Sequence, residues 1–203
     1  MKNLSSENFE IIGKPIDNTD STKPKNIKHF DLPEQLKTNP YDYQREGIDF
    51  VCSSNRQMLL DEAGTGKTLM SIGAVLIRKE MGKIKHTLVI TGRCSLIWNW
   101  YDEIKTHTGI KATVLGSRKN KKGQWNVKSN ADKLEDLNSI TDDQLFLLTN
   151  IQSLQNKDVA NKLKQLISKN IIQCIIFDEC HCVRNPSSIQ AKALLRLTPK
   201  YIS

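Results

Sequence analysis

Apolar residues along the chain fall into short continuous runs and into longer stretches with helical spacing. The continuous runs, each the length of one buried strand, lie at 58–60, 87–90, 112–115, 146–148 and 171–177. Between them, apolar residues recur every three or four positions, as on one face of a helix, at 69–76, 96–104, 151–154 and 159–167. Strands that alternate with helices are typical of a parallel sheet covered on both faces. The pattern therefore predicts an α/β domain with a mostly parallel sheet.

The N-terminal part of the chain lacks this pattern. Residues 1–30 are polar, rich in Asn, Lys and Ser and without a sustained period, which predicts a mobile or loosely docked arm. The folded domain is predicted to occupy 31–203. It opens with a break at 39–40 and a short helix that leads into the first strand. Further on, Ser95 is predicted to cap the helix over 96–104.

The stretch 57–68, QMLLDEAGTGKT, joins the first predicted strand to the first long helix. Gly64 and Gly66 allow backbone N–H groups to curl around phosphate oxygens, next to the positive N-terminus of the helix. Lys67 is placed to reach the β- and γ-phosphates, and the Thr68 hydroxyl to bind Mg²⁺. The strict motif has one more glycine at its start, and the alternative is a glycine-rich turn. The strand–loop–helix context favours a nucleoside triphosphate site.

Two acids, Asp178 and Glu179, follow the apolar run at 171–177. In open α/β sheets, ligands bind beyond the carboxyl ends of the strands. An acid placed there is costly unless it is paired or holds a cation. We expect Asp178 to orient the Mg²⁺ shell and Glu179 to polarise the attacking water, with Lys67 in the same catalytic set. The alternative is a pair of acids that opens a loop, and the phosphate-binding stretch elsewhere in the chain favours the catalytic interpretation.

An amide and two aromatic rings lie shortly before the phosphate loop, at Gln44, Tyr41 and Tyr43. An amide is able to bond the two polar atoms on the adenine edge, and an aromatic ring is able to stack on its face. The same positions also fit ordinary helix surface and core, so both interpretations stay open at this point.

Charge adds a second candidate surface. The formal net charge is +8, and residues 111–128 hold six cations and no acid, together with Trp125. A basic block with an indole is typical of a polyanion-binding surface, which predicts nucleic-acid contacts from Lys119, Lys121 and Lys122 with a steep dependence on salt. A solvated loop explains the same charges equally well.

Cysteine usage and hydropathy indicate the compartment. The five cysteines form no C-x-x-C pair, which suits a reducing cytosol, and Cys180-His181-Cys182 has poor spacing for a metal site. The sequence has no apolar run of about 18 residues and no secretory signal at its start, so we expect no membrane partner. The Lys- and Asn-heavy composition indicates an AT-rich genome, and we expect a cytoplasmic protein of a bacterium or of a virus-infected host cell.

Taken in order, these motifs resemble the N-terminal RecA-like lobe of a superfamily-two helicase, and among these the Swi/Snf-type DNA translocases most. The segment 61–68, DEAGTGKT, is similar to that branch's DE-x-G-x-GKT loop, which makes Asp61 expected. The resemblance covers about residues 40–203 and implies a three-layer RecA-like P-loop NTPase domain that binds ATP with Mg²⁺. It implies nucleotide contacts from Tyr43, Gln44, Gly64, Thr65, Gly66, Lys67 and Thr68, and metal contacts from Thr68 and Asp178.

The later motifs also follow the order of that family. The segment 178–181, DECH, is similar to the DEAH box, and RNPSS after it is close to the family's next segment. The segment 88–104 looks like motif Ia, and 149–154 looks like motif Ib. Both motifs contact the nucleic-acid backbone in the family. The resemblance therefore implies contacts with DNA, duplex DNA being favoured, from Arg93, Ser95 and Thr149.

The resemblance also implies a partner for hydrolysis. The family continues into a second RecA-like lobe, which supplies an arginine finger worth about 10³ to 10⁵ in turnover. We therefore expect an ATP hydrolase of the helicase and translocase class that is weak or inactive as a 203-residue chain, with the second lobe in cis in a longer protein or in trans. The alternative is a non-catalytic nucleic-acid or protein interaction module. A generic P-loop GTPase is disfavoured, because no N-K-x-D segment is present.

Overall fold

A computed structural model of the chain describes residues 27–60, 62, 64–119, 125–127, 129–178, 188, 191, 192, 194, 197, 201 and 202. The described end of the predicted arm, 27–30, is tied to the first helix. The Phe30 N–H donates to Asp49 Oδ1 at 3.1 Å, and His29 Nδ1 lies 2.7 Å from Asp49 Oδ2. The rest of the predicted arm lies outside the described residues.

Strands and helices alternate through most of the described chain. The strands are β1 (His86–Thr91), β2 (Thr113–Val114), β3 (Ser117–Lys119), β4 (Trp125–Val127), β5 (Phe146–Asn150), β6 (Ile172–Asp178) and β7 (Tyr201–Ile202). The helices are α1 (Asp42–Ser53), α2 (Lys67–Glu80), α3 (Cys94–Thr108), α4 (Asn130–Asn138), α5 (Lys157–Ser168) and a 3₁₀ helix at Ile151–Gln155. Across the described ranges, no helix has the length and apolar character that a membrane span requires.

The main sheet is parallel and lies between two layers of helices. Its strand order is β2-β5-β1-β6-β7, and each neighbouring pair is parallel. Val89 of β1 packs in a cluster with residues of α2 and α3, whereas Leu88 and Ile90 pack with residues of α4 and α5. Successive side chains of a strand point to opposite faces, so these clusters mark the two sides of the sheet. The predicted three-layer α/β fold is confirmed.

One predicted strand is wrong. The runs at 87–90, 112–115, 146–148 and 171–177 correspond to β1, β2, β5 and β6, but the run at 58–60 is not a strand. Its Met58 and Leu60 side chains are 50% and 56% exposed. A short apolar run becomes a strand only when a neighbour completes its hydrogen-bond ladder, and no strand of the described sheet pairs with this run.

The predicted start of α3 is also wrong. The N-cap is Arg93, with extended dihedral angles, and Ser95 lies inside the first turn. The chain turns directly after β1, where the Thr91 hydroxyl donates to the Arg93 carbonyl at 2.9 Å. The helix therefore begins before the serine that the sequence pattern favoured.

The basic block and the segment after it contain structure that was not predicted. β3 and β4 form an antiparallel pair, with Arg118 opposite Asn126, and α4 follows. Ser129 caps α4: its hydroxyl accepts from the Asp132 N–H at 3.2 Å, and the Asp132 carboxylate accepts from the Ser129 N–H at 3.0 Å. This S-x-x-D pattern is a sequence signal for a helix start, so the sequence contained a sign of α4 that apolar spacing alone did not show.

Candidate nucleotide site and nucleic-acid edge

The C-terminal ends of the central strands β1, β5 and β6 lie side by side at one end of the sheet, the carboxyl edge. Thr91 at the end of β1 is in register with Asn150 of β5 and with Asp178 of β6. α2 ends shortly before β1 begins and packs on the sheet through Val75, so α2 runs antiparallel to β1. Its first residue, Lys67, therefore lies toward the same edge. The fold brings the phosphate loop and the acid of the predicted site to one side of the sheet.

The loop before α2 has the backbone shape that its glycines predicted. Gly64 and Gly66 both adopt left-handed conformations, with φ of 85° and 81°, which side chains other than glycine rarely allow. Gly66 is also the N-cap of α2, and a Cβ added there would collide with the Gln44 amide. Glycine at this position is therefore required by both the dihedral angle and the close approach of α1.

Two loop side chains converge on one carbonyl. Lys67 Nζ donates to the Glu62 carbonyl at 2.6 Å, and the Thr65 hydroxyl donates to the same oxygen at 2.9 Å. The first turn of α2 contains no acid, so the N-terminus of this helix and the Lys67 ammonium together favour an anion. The loop therefore suits a phosphate group, with the Thr68 hydroxyl one residue further along. Asp61 and Ala63 lie outside the described residues.

The residues that were predicted to contact adenine lie beside this loop. Gln44 is buried, its Nε2 donates to the Thr65 carbonyl at 3.2 Å, and its Oε1 accepts from the Tyr41 N–H at 3.1 Å. The exposed rings of Tyr41 and Tyr43 stack on each other, with centroids 6.0 Å apart and planes 14° apart. Gln44 thus holds the phosphate loop against α1, and the tyrosines form an aromatic surface next to it. The nucleotide contacts of Gln44 and Tyr43 stay predictions.

Asp178 is held by a residue that the sequence did not indicate as part of the site. Trp100 of α3 is 4% exposed, and its indole N–H donates to Asp178 Oδ2 at 2.8 Å. The sequence placed Trp100 only in the apolar face of a helix. The one available signal was chemical, because a buried indole N–H usually finds a partner. Glu179 and His181 lie outside the described residues, so the expected role of Glu179 stays a prediction.

Arg93 and Ser95 lie where a backbone contact was expected. Both are exposed at the start of α3, next to the carboxyl edge. The loop after β5 lies beside this turn, because Gln152 Nε2 donates to the Gly92 carbonyl at 3.4 Å. The two segments expected to contact nucleic acid are therefore neighbours in the fold.

Thr149 does not fit its expected role. Its side chain is 2% exposed, and its hydroxyl donates to Ser153 Oγ at 2.9 Å inside the protein. Thr149 belongs to β5, whose residues are all buried, so its side chain is not placed to contact a phosphate. A direct side-chain contact from Thr149 is therefore contradicted. The exposed side chains of the following turn are Gln152 and Gln155.

Part of the basic block is neutralised by α4. Arg118 lies 2.9 Å from Asp136 Oδ1, 3.0 Å from Glu135 Oε2 and 3.8 Å from Asp132 Oδ1. The hydrogen bond to Asp136 is the main reason that the pKa of the guanidinium is raised above its ordinary value. Arg118 is therefore committed to acids of its own chain. Lys121 and Lys122 lie outside the described residues, as does the Lys119 side chain.

A buried lysine supports the turn between β5 and α5. Lys133 of α4 is 7% exposed, and its Nζ donates to Ser153 Oγ at 2.7 Å. Ser153 Oγ in turn donates to Asn150 Oδ1 at 2.8 Å, and Asn150 Nδ2 donates to Cys94 Sγ. The network joins α4, the turn after β5 and the first turn of α3. Lys133 was not identified from the sequence, because a lone lysine in a polar stretch carries no signal of burial.

Burial of Lys133 predicts a pH dependence of stability. Desolvation lowers the pKa of its ammonium below the ordinary value of 10.5. As the pH rises toward 10.5, the buried ammonium loses its proton before the unfolded chain does, so the cost of burying its charge disappears. We expect the free energy of unfolding of the parent, relative to that of Lys133→Met, to rise from pH 8 to pH 10.5. Urea unfolding at several pH values measures this difference, and a difference that is flat or falls would contradict it.

The sequence of the chain matches one protein family over most of its length. A profile of the SNF2-related domain matches residues 43–201. The ATP-dependent helicase rhp16 of Schizosaccharomyces pombe is 28% identical over an alignment of 187 residues that covers 87% of this chain and 21% of that protein. The DNA annealing helicase and endonuclease ZRANB3 of Homo sapiens is 24% identical over an alignment of 174 residues that covers 83% of this chain and 14% of that protein. The chain thus spans about a fifth or less of the length of these relatives.

Solved structures agree on the fold. The SWI2/SNF2 ATPase core of Sulfolobus solfataricus in complex with dsDNA matches with a TM-score of 0.62 at 23% identity, over 85% of this chain and 33% of that chain. The Sulfolobus solfataricus SWI2/SNF2 ATPase core domain matches with a TM-score of 0.64 at 23% identity, over 88% of this chain and 33% of that chain. These likenesses show that the three-layer fold, one sheet between two layers of helices, is the RecA-like fold of an SNF2 ATPase core.

Proposed function

This chain belongs to the SNF2-related domain family, and from that premise we propose that it is the ATP-binding lobe of an ATP-dependent DNA translocase. The observation that carries the proposal is the carboxyl edge of the sheet. The phosphate loop, Asp178 and the exposed start of α3 all lie on that edge. Nucleotide and nucleic acid would therefore bind to neighbouring parts of one surface.

Each residue of the site has a defined task in this proposal. The loop at 64–68 binds the triphosphate, because its glycines and the α2 N-terminus offer N–H groups and Lys67 offers a positive charge. The Thr68 hydroxyl and the Asp178 carboxylate hold Mg²⁺, which neutralises charge on the phosphates when it is bound. Glu179, next to Asp178 in sequence, accepts a proton from the attacking water.

The chemistry of the described residues fits a magnesium nucleotide. The groups that face the phosphates are donors, and the metal ligands are a hydroxyl and a carboxylate, which are the oxygen ligands that Mg²⁺ prefers. One Asp178 oxygen accepts from Trp100, and no described residue donates a hydrogen bond to the second oxygen, which suits a cation. The alternative of a non-catalytic interaction module is not favoured, because such a module has no need of this combination.

Hydrolysis is proposed to require a second RecA-like lobe, in the same polypeptide or in another. An arginine from that lobe is worth about 10³ to 10⁵ in turnover. The experiment is an ATPase assay of the chain with and without a separately expressed second lobe, each with duplex DNA, duplex RNA or no nucleic acid. We expect ATP binding by the chain alone, and fast turnover only with the second lobe and duplex DNA. Turnover that never responds to either addition, despite ATP binding, would overturn the proposal in favour of the non-catalytic module.

The DNA side of the proposal predicts a defined salt dependence. Affinity falls as salt rises, and each cation that contacts a phosphate adds about 0.9 to the magnitude of the slope of log affinity against log salt concentration. We expect Arg93→Ala to lower the slope by about 0.9 and the triple replacement of Lys119, Lys121 and Lys122 by alanine to lower it by about 2.7. Fluorescence anisotropy with a labelled duplex at several salt concentrations measures these slopes.

The matched control removes the same kind of charge from the opposite edge of the sheet. Lys83 is exposed and lies just before the start of β1, far from the carboxyl edge. Lys83→Ala should leave both the affinity and the slope unchanged. An unchanged slope in the triple variant would return the basic block to a solvated loop, and an unchanged slope in Arg93→Ala would remove α3 from the proposed interface.

A further inference from the structure

The hydrogen bond between Trp100 and Asp178 links the metal site to the helix that begins at the proposed DNA edge. Trp100 lies in the second turn of α3, whose first turn carries the exposed residues Arg93 and Ser95. Its indole N–H donates to Asp178 Oδ2 at 2.8 Å. The ring is buried in the apolar cluster formed by α2, α3 and one face of the sheet. The position of this donor is therefore fixed by the packing of α3.

An indole N–H suits the task of fixing a metal-binding carboxylate. It donates one hydrogen bond, accepts none and carries no charge. A neighbouring ammonium or guanidinium would compete with a cation for the carboxylate, whereas an indole holds one oxygen and leaves the negative charge in place. A hydrogen bond to a charged acceptor is also stronger than one between neutral groups. The Asp178 carboxylate is thus held in one orientation, and its second oxygen accepts from no residue in the part of the chain that the structure describes.

We propose that Trp100 is a positioning residue for the magnesium ligand Asp178. The inference rests on the proposed function, because it assumes that Asp178 holds Mg²⁺. Trp100 contacts neither phosphate nor metal in this scheme. Its contribution is to keep the carboxylate in the orientation that binds the ion, as partners of metal ligands generally do.

The test separates positioning from packing. Trp100→Phe keeps an aromatic ring in the cluster and removes the N–H. Replacing a residue that hydrogen-bonds a metal ligand typically lowers metal affinity by about 10- to 100-fold. We therefore expect the Mg²⁺ concentration for half-maximal binding of a fluorescent ATP analogue to rise at least about 10-fold. Nucleotide affinity in EDTA should stay the same. The control is Trp98→Phe, the same replacement on the same helix, at a ring that packs edge-on against Tyr101. It should leave the Mg²⁺ requirement unchanged.

A double-mutant cycle shows whether the effect passes through Asp178. Asp178→Asn alone should raise the Mg²⁺ concentration for half-maximal binding of the ATP analogue. Adding Trp100→Phe to it should raise that concentration little more, because the two residues act as one unit. A Mg²⁺ requirement that shifts in Asp178→Asn but not in Trp100→Phe would overturn the positioning role and leave Trp100 as core packing. If neither Asp178→Asn nor Lys67→Ala alters Mg²⁺-nucleotide binding, the proposed function fails instead.

A second measurement holds even if Trp100→Phe does not fold. The variant Trp98→Phe, Trp125→Phe keeps Trp100 as its one indole. Its fluorescence should change when Mg²⁺ and the ATP analogue are added together, because the indole N–H is bonded to the carboxylate that takes up the ion. The analogue in EDTA should produce a smaller change. Equal changes with and without Mg²⁺ would contradict the inference.

Discussion

Replacing Lys67 with alanine should raise the dissociation constant for Mg²⁺-ATP by at least about 100-fold. Lys67 is the first residue of α2, at the end of a loop whose two glycines are left-handed. Charge-assisted hydrogen bonds contribute about 1.5–3 kcal/mol each, and about 1.4 kcal/mol is a factor of ten in affinity. Loss of two such bonds to phosphate oxygens therefore accounts for a loss of this size. Isothermal titration calorimetry with a non-hydrolysable analogue measures it.

The control for this prediction lies on the same helix. Lys79 is exposed in the last turn of α2, where its Nζ bonds Gln35 Oε1 at 3.1 Å, away from the phosphate loop. Lys79→Ala removes the same charge and should bind nucleotide as the parent does. Lys67 also bonds the Glu62 carbonyl, so Lys67→Ala should lose no more than about 1.5 kcal/mol of unfolding free energy. A stable Lys67→Ala variant with parental affinity would refute the nucleotide site.

Replacing Arg78 with methionine should lower the free energy of unfolding by about 2–4 kcal/mol. Arg78 is 2% exposed, and its guanidinium donates to the Val51 carbonyl at 2.7 Å and to the Ser54 carbonyl at 2.8 Å. These carbonyls end α1, whose last turn has no basic residue of its own. Methionine fills part of the space but leaves both carbonyls without this donor.

Urea unfolding followed by circular dichroism measures the loss, with Lys79→Met as the exposed neighbour for comparison. Lys79→Met should change the free energy of unfolding by less than about 0.5 kcal/mol, as surface replacements usually do. An Arg78→Met variant as stable as the parent would show that the buried cation contributes no net stability. Because α1 carries Gln44, which bonds the Thr65 carbonyl of the phosphate loop, we also expect the folded variant to bind nucleotide less tightly.

The sequence was sufficient for those parts of the fold that depend on local pattern. The strands β1, β5 and β6 are buried apolar runs, and burial is what makes a run of this kind a strand in a parallel sheet. The loop at 64–68 was predictable because left-handed turns select glycine. The position of Asp178 followed from the rule that ligands bind beyond the carboxyl ends of strands.

The remainder depends on partners that are distant in sequence. The run at 58–60 has the composition of a strand, but it pairs with no strand of the described sheet. Thr149 looks like a loop residue until β5 is seen to extend through Asn150. Arg118 counts as a free cation until α4 places three acids beside it. Trp100 has the spacing of a core residue, and only its distance to Asp178 reveals a second role.

We propose that the loop of Lys67 and the carboxylate of Asp178 serve one magnesium–nucleotide complex. The decisive experiment is a crystal structure of the chain with Mg²⁺ and a non-hydrolysable ATP analogue. We expect the triphosphate in the loop at 64–68 and a single Mg²⁺ bound to the Thr68 hydroxyl, within about 4.5 Å of the Asp178 carboxylate, the span of one bridging water. A triphosphate bound elsewhere, or a metal ion with no direct or water-bridged contact to Asp178, would contradict it.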